Sequence, residues 1–141
     1  MKSVQTSVII PVNNSEKYIG RCLRSLLKQT KNDNEYELIV INDGSTDNTD
    51  NAIKPFIGDI RYFVNEKKLG LPASLNLGIK QARGQYIVRV DSDDYVNENF
   101  LKFLYLFLEE NRDIDAVSCD YLLVDDKEIV ISREDCFKKP I

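Results

Sequence analysis

Short runs of β-branched and aliphatic residues alternate along the chain with longer stretches in which apolar residues recur every three or four positions. Residues 7–12 (SVIIPV) and 37–41 (ELIVI) are of the first kind and predict strands buried on both faces. Residues 60–64 and 85–90 (QYIVRV) predict two more. Between the first pair, Asn13, Asn14 and Ser15 offer N-cap chemistry for a helix running to about Thr30. Its Ile19, Cys22, Leu23, Leu26 and Leu27 share one face. Residues 31–34 read as a polar loop. A turn at 42–47 follows the second strand, and Thr46 or Asp47 can cap a helix reaching about Phe56. Residues 65–69 form a loop, and 70–82 a helix that Gly84 ends in the left-handed conformation. Residues 97–111 predict a helix apolar over much of its circumference, which calls for cover on more than one side. Residues 116–124 and 129–132 predict a hairpin about Asp125-Asp126-Lys127.

Strands and helices thus alternate until the closing pair of strands. That order implies an α/β fold with a mostly parallel sheet, helices on both faces and right-handed crossovers. The chain has 141 residues and no internal repeat, low-complexity tract or linker, so it reads as a single domain over 1–141.

Composition narrows the chemistry. With 19 basic and 23 acidic side chains the net charge is −4, so no basic face for a nucleic-acid backbone is expected. The absence of histidine removes Ser-His-Asp and Cys-His catalysis and His-ligated zinc. Cys22, Cys119 and Cys136 show no C-x-x-C spacing and read as reduced, mostly buried thiols of a cytosolic protein. Residues 1–6 are polar, unlike a secretory signal. The longest strongly apolar stretch, 103–108, falls far short of the ~20 residues of a membrane span.

In open parallel sheets ligands gather at the carboxyl ends of the strands, where strand order reverses. Three polar segments fall there: Pro11-Val12-Asn13-Asn14, Asn42-Asp43-Gly44-Ser45 and Asp91-Ser92-Asp93-Asp94. The opposite edge shows no comparable clustering. The last segment is the most pointed, because carboxylates this close raise one another's pKa unless a cation neutralises them. A hard divalent ion such as Mg²⁺ or Mn²⁺ suits Asp91 and Asp93, with waters and substrate phosphates completing its shell. Asp94 can equally serve a turn or a helix cap. An EF-hand does not fit, since Val96 stands at its glycine position and Lys102 at its bidentate glutamate. No G-x-G-x-x-G follows the first strand and no P-loop occurs, so a bound nucleotide must have its phosphates handled by metal and side chains.

These segments resemble the family 2 glycosyltransferases, whose nucleotide-binding half has the GT-A fold. The match runs in order through SVIIPVNN at 7–14, ELIVINDGSTDNT at 37–49, NEKKLGLPASLNLGIKQARGQYI at 65–87 and VRVDSDD at 88–94. The resemblance implies that Pro11, Val12 and Asn13 floor a nucleobase pocket, and that Asp43 accepts a hydrogen bond from the base, most often uracil. It implies that Gly44 keeps that loop close, and that the 68–73 stretch, with Lys68 and Leu71, borders the ribose and diphosphate. In Asp91-Ser92-Asp93, Asp91 takes the ribose side or reaches the metal through water, and Asp93 is the direct ligand of Mn²⁺ or Mg²⁺. Asn76 and Gly78 are expected to support helix packing, and Arg89 to belong to a structural ion pair. The implied reaction transfers a sugar, with inversion, from a nucleotide diphosphate sugar, a UDP-sugar above all, to a saccharide or lipid-linked acceptor hydroxyl. The implied location is the cytoplasm or the inner face of the membrane.

Two departures stand out. The family usually carries Tyr or Phe where Asn13 stands, and losing that stack costs on the order of 1–3 kcal/mol if free-base stacking transfers. Family members also continue into an acceptor-binding half that holds the catalytic base. Glu134-Asp135 comes too early for that base and reads as a solvated turn. The chain is therefore expected to be a donor-binding half, with no catalytic base identifiable in it, and to self-associate through apolar surface left uncovered. Two other readings stay open. One is a nucleotide-sugar-binding or interaction module without catalysis. The other is an aspartyl phosphotransferase of haloacid-dehalogenase type, against which Tyr95 and the fourth-strand position of the acidic motif both weigh.

Overall fold

Val8, Ile9, Ile10 and Val12 send alternate side chains to opposite faces of one strand, and all four are at most 1% exposed. A strand that apolar on both sides must sit inside a sheet with helices above and below. The computed structural model, which describes residues 3–30 and 35–134, shows that arrangement. Its elements are β1 (Thr6–Val12), α1 (Ile19–Leu27), β2 (Tyr36–Asp43), α2 (Thr49–Ile53) continued by a 3₁₀ turn (Lys54–Phe56), β3 (Arg61–Asn65), α3 (Leu71–Gln81), β4 (Tyr86–Arg89), α4 (Phe100–Glu110), β5 (Tyr121–Val124) and β6 (Val130–Glu134).

The chain forms two compact units, Met1–Tyr105 and Leu106–Ile141. In the first, strands β1 to β4 make a sheet in the order β3-β2-β1-β4, parallel at every pairing, with Val8 opposite Leu38 on one side and Val88 on the other. The strand order reverses at β1, between β2 and β4. On one face Val8, Ile10, Val12, Leu38 and Val40 form a core with Ile19, Cys22, Leu23 and Leu26 of α1 and Ile53 of α2. Each such side chain taken out of water contributes about 1.5–3 kcal/mol. On the other face Gly78 brings α3 down onto Ile9, whose Cγ2 lies 2.4 Å from where a Cβ on Gly78 would stand. Gly78 thus supports packing as expected, whereas Asn76 is exposed.

In the second unit β5 and β6 pair antiparallel, with a register shift between Leu123 and Val124. Asp125 Oδ1 accepts the N–H groups of Lys127 and Ile129, fixing the expected hairpin turn. Residues 116–120, expected within the first strand of the hairpin, are not strand. Among the described residues no helix is long and apolar enough to cross a membrane.

Several expectations are corrected. α1 starts at Ile19 rather than after Ser15, because Asn14 adopts φ 51° and turns its side chain away to the loop after β2. Gly84 does not have the expected positive φ. It is held to glycine by proximity, since a Cβ there would lie 2.6 Å from the Ser7 nitrogen. Phe103 of α4 is 66% exposed, so the helix lacks the all-round cover expected. Cys22 is buried but Cys119 is exposed. Cys136, Asp135 of the acidic pair and the 31–34 loop lie outside the described residues.

The amino-terminal edge of the sheet is not bare either. Ser7 Oγ donates to Glu37 Oε1 at 2.7 Å and accepts from the Gly84 N–H, while Arg83 N–H also donates to Glu37 Oε1. Arg61 Nη1 bridges Glu37 Oε2 at 2.9 Å and the Gln81 carbonyl at 2.6 Å. Burial opposes the charge on Glu37, yet the bonds from Ser7, Arg83 and Arg61 hold its carboxyl below the usual range. A brace is thus built where the sequence shows only scattered polar residues.

Candidate functional site

The three polar segments expected at the carboxyl edge do meet there, and they meet through hydrogen bonds. Asn13, at the end of β1, donates its amide to the Asp43 carbonyl at the end of β2, at 2.8 Å. Asn14 Oδ1 accepts the Thr46 N–H at 2.8 Å, and Asn14 N–H donates to Ser45 Oγ at 3.0 Å. Ser15 N–H donates to Thr49 Oγ1 at 2.8 Å, and the Ser15 and Ser92 hydroxyls lie 2.7 Å apart. The ends of β1, β2 and β4 are therefore one connected rim. Asp47 Oδ1 accepts the Thr49 N–H at 3.0 Å just ahead of α2, whose N-cap residue is Asn48 and not the expected Thr46 or Asp47.

Asp43 is 4% exposed, and both carboxylate oxygens are engaged. Oδ1 accepts from the Leu69 N–H and the Asn65 amide, and Oδ2 from the Gly70 N–H, each at 2.8 Å. Burial works against its charge, but those donors together hold the carboxyl below the usual range. The Ser74 side chain bonds the same carboxylate, so Asp43 anchors both the entry to α3 and its first turn. Gly44 adopts φ 62°, and a Cβ there would lie 2.6 Å from the Lys67 carbonyl carbon and the Lys68 nitrogen. Only glycine lets the two loops touch. Lys68 and Leu71 are exposed beside that contact.

Of the β1 residues, Pro11 is half-buried, whereas Val12 belongs to the core and offers the rim only its backbone. In the acidic turn Ser92 is buried against Ser15. Asp91 is held in a bidentate pair by Arg89, Nε to Oδ1 at 2.8 Å and Nη2 to Oδ2 at 3.0 Å, which is the ion pair expected of Arg89. Asp93 is exposed, and no hydrogen bond or ion pair to a described residue engages its carboxylate. The Asp94 N–H closes the turn on the Asp91 carbonyl at 3.1 Å. Burial, and then the charges of Asp93 and Asp91, push the Asp94 carboxyl up. Among the described residues no three acidic or cysteine side chains converge to hold a metal ion. Any cation at this turn would need oxygens from elsewhere besides Asp93.

Sequence reasoning missed the element that carries this turn. One flank of α1, bordering its apolar stripe and continued past the helix end, runs along residues 91–101. Cys22 Sγ lies 3.6 Å from the Asp91 carbonyl, and Arg21 Nη2 donates to the Asp93 carbonyl at 3.4 Å while its guanidinium sits 4.4 Å over the Tyr95 ring. Ser25 Oγ accepts the Val96 N–H at 3.1 Å, and Thr30 N–H donates to the Glu98 carbonyl at 2.8 Å. The signal was present: Arg21, Ser25 and Gln29 fall four residues apart, on one row of a helix.

Compared with known proteins, residues 7–138 match the family described as Glycosyl transferase family 2. The chain belongs to that family. Glycosyltransferase GlyG of Streptococcus pneumoniae is 38% identical over 125 residues, 86% of this chain and 40% of that protein. The poly(ribitol-phosphate) beta-N-acetylglucosaminyltransferase TarS of Staphylococcus aureus is 39% identical over 109 residues, 75% of this chain and 19% of that protein. The crystal structure of TarS 1–349 in complex with UDP-GlcNAc superposes with a TM-score of 0.70 at 38% identity, covering 77% of this chain and 32% of the other. The family 2 chain described here thus has the GT-A fold and spans well under half the length of these relatives.

Proposed function

We propose that the chain is the donor-binding part of a glycosyltransferase that moves a sugar from a nucleotide diphosphate sugar, a UDP-sugar, to an acceptor hydroxyl with inversion. The observation that carries this is the connected rim at the strand-order reversal. There Asn13, Asp43, Gly44 and the Asp91–Asp93 turn are bonded into one surface. The crystal structure of TarS with UDP-GlcNAc, alike in fold at 38% identity, supports a uridine nucleotide at this rim.

In this reading the half-buried Pro11, the Val12 backbone and Asn13 floor the base. Asp43 takes the base N–H, and Lys68 faces the diphosphate. The donor set at the turn is oxygen alone, and the exposed Asp93 carboxylate fits one ligand position of Mn²⁺ or Mg²⁺. Asp91, already paired with Arg89, is better suited to the ribose side or to a bridging water. An ion held there would supply neutralisation of the charge on the departing diphosphate. None of the described residues is assigned as the base that takes the acceptor proton. The acceptor in this reading is a saccharide or lipid-linked hydroxyl at the inner face of the membrane, and the name of TarS gives poly(ribitol-phosphate) as the acceptor of that relative.

Calorimetry with UDP, with and without Mn²⁺, tests the reading. Affinity should rise at least tenfold with the ion. Binding that ignores Mn²⁺, or no binding at all, would count against it.

One observation favours a binding module without catalysis. The Asn13 amide is tied to the Asp43 carbonyl and offers no ring to stack on a base. UDP released from UDP-GlcNAc by the 141-residue chain would overturn the module reading, because a module releases none.

A further inference from the structure

We propose that Gln29 is a positioning residue for the acidic turn, an inference that rests on the functional reading above. Gln29 is 7% exposed, and every polar atom of its side chain is bonded to backbone. Nε2 donates to the Ser25 carbonyl at 3.0 Å and to the Asn97 carbonyl at 2.8 Å. Oε1 accepts the Leu101 N–H at 2.9 Å. That N–H is one of the first donors of α4, which have no partner within their own helix. One side chain therefore holds the stretch between the acidic turn and α4 at Asn97 and the first turn of α4 at Leu101.

The consequence falls on Asp93. Its carboxylate is exposed and no described residue holds it, so its place is set by the backbone on either side. Upstream, Val90 N–H is bonded to the Ile9 carbonyl at 3.1 Å, and Ser92 to Ser15 at 2.7 Å. Downstream, the fixed points are Val96 on Ser25 and Asn97 on Gln29. Residues 93–95 lie between these anchors, with Arg21 bonded to the Asp93 carbonyl and stacked over Tyr95 as a further contact. Without Gln29 the downstream side keeps Val96 on Ser25 and Glu98 on Thr30 but loses its hold on Asn97 and on the start of α4, and a ligand atom displaced by about 1 Å can lose on the order of 100-fold in productive interaction.

The test uses Gln29→Met, which keeps length and removes all three bonds, beside Ile53→Val, a core change in α2 that lowers stability without touching the turn. Two readouts are taken on the same chain. Amide exchange over 93–97 should quicken at least tenfold in Gln29→Met and stay within twofold in Ile53→Val. The ratio of UDP affinity with Mn²⁺ to that without should fall about tenfold in Gln29→Met, with metal-free affinity within twofold of the parent. Should Gln29→Met not fold, Ser25→Ala, which removes the Val96 bond together with the hydroxyl's bond to the Cys22 carbonyl inside α1, carries the same expectations at about half the size on a logarithmic scale. Exchange no faster than in Ile53→Val overturns the proposal, as does a Mn²⁺ ratio that holds while 93–97 exchanges freely. A parent chain whose UDP affinity ignores Mn²⁺ overturns the functional reading instead, and the exchange measurement then decides the positioning of the turn by itself.

Discussion

Asp93 and Asp43 are carboxylates of one rim with opposite physical circumstances. Asp93 is exposed and unengaged by any described residue, so Asp93→Ala should leave the melting temperature within about 1 °C of the parent, as surface changes generally do. Under the proposed function it should also abolish the Mn²⁺-dependent gain in UDP affinity, read by calorimetry. Asp43 is buried and receives donors from Asn65, Leu69, Gly70 and Ser74. Asp43→Asn replaces one acceptor oxygen by an amide that faces an N–H, and should cost about 2–3 kcal/mol in urea unfolding. The exposed Arg89–Asp91 pair, by contrast, should contribute no more than about 1 kcal/mol. The motif told where these aspartates lie in sequence. That Asp43 spends its acceptors on the Leu69 and Gly70 N–H groups was not legible, because the bonds join positions far apart in the chain.

At the scale of elements, the strands and the hairpin were legible because their signal is local: apolar runs for β1 and β2, and turn residues for β5–β6. The start of α1 was not. Asn13-Asn14-Ser15 is good capping chemistry, but those side chains and amides are bonded to residues 43–49 and to Ser92 instead. A cross-loop partner outcompeted the local one. The polar row of Arg21, Ser25 and Gln29 was passed over for the opposite reason, since polar positions on a helix are ordinarily solvated. The contact of α3 with the sheet gives an element-level prediction. Gly78→Ala gains up to about 1 kcal/mol of helix propensity, but its Cβ would stand 2.4 Å from Ile9 Cγ2. Overpacking of this kind costs about 1–3 kcal/mol, so the variant should be less stable than the parent by urea unfolding. Equal or greater stability would show that α3 can slide off Ile9.

For the molecule as a whole, the α/β class and parallel sheet followed from the alternation of elements, while the brace at the amino edge did not. Both edges carry a carboxylate held below its usual range, Glu37 at one and Asp43 at the other. A depressed folded-state pKa means that the stabilisation is complete above the ordinary carboxylate value and is lost as pH falls through the lower folded value. The melting temperature should therefore hold from neutral pH to about 5 and drop steeply below about 4. In Asp43→Asn the acid limb should be shallower. The second unit leads to a prediction about association. Tyr121, Leu122, Ile129 and Ile131 of the hairpin are all more than half exposed. Sedimentation should show mass rising with protein concentration, and Ile131→Lys should weaken that rise.

Cys22 lies wholly inside, under the acidic turn. A thiol reagent can meet it only when the packing of α1 against the sheet and turn comes apart. Its modification rate is therefore a built-in clock for that opening, readable by mass spectrometry on the unaltered chain. A nucleotide that truly settles on the rim should slow the clock without altering the labelling of the exposed Cys119.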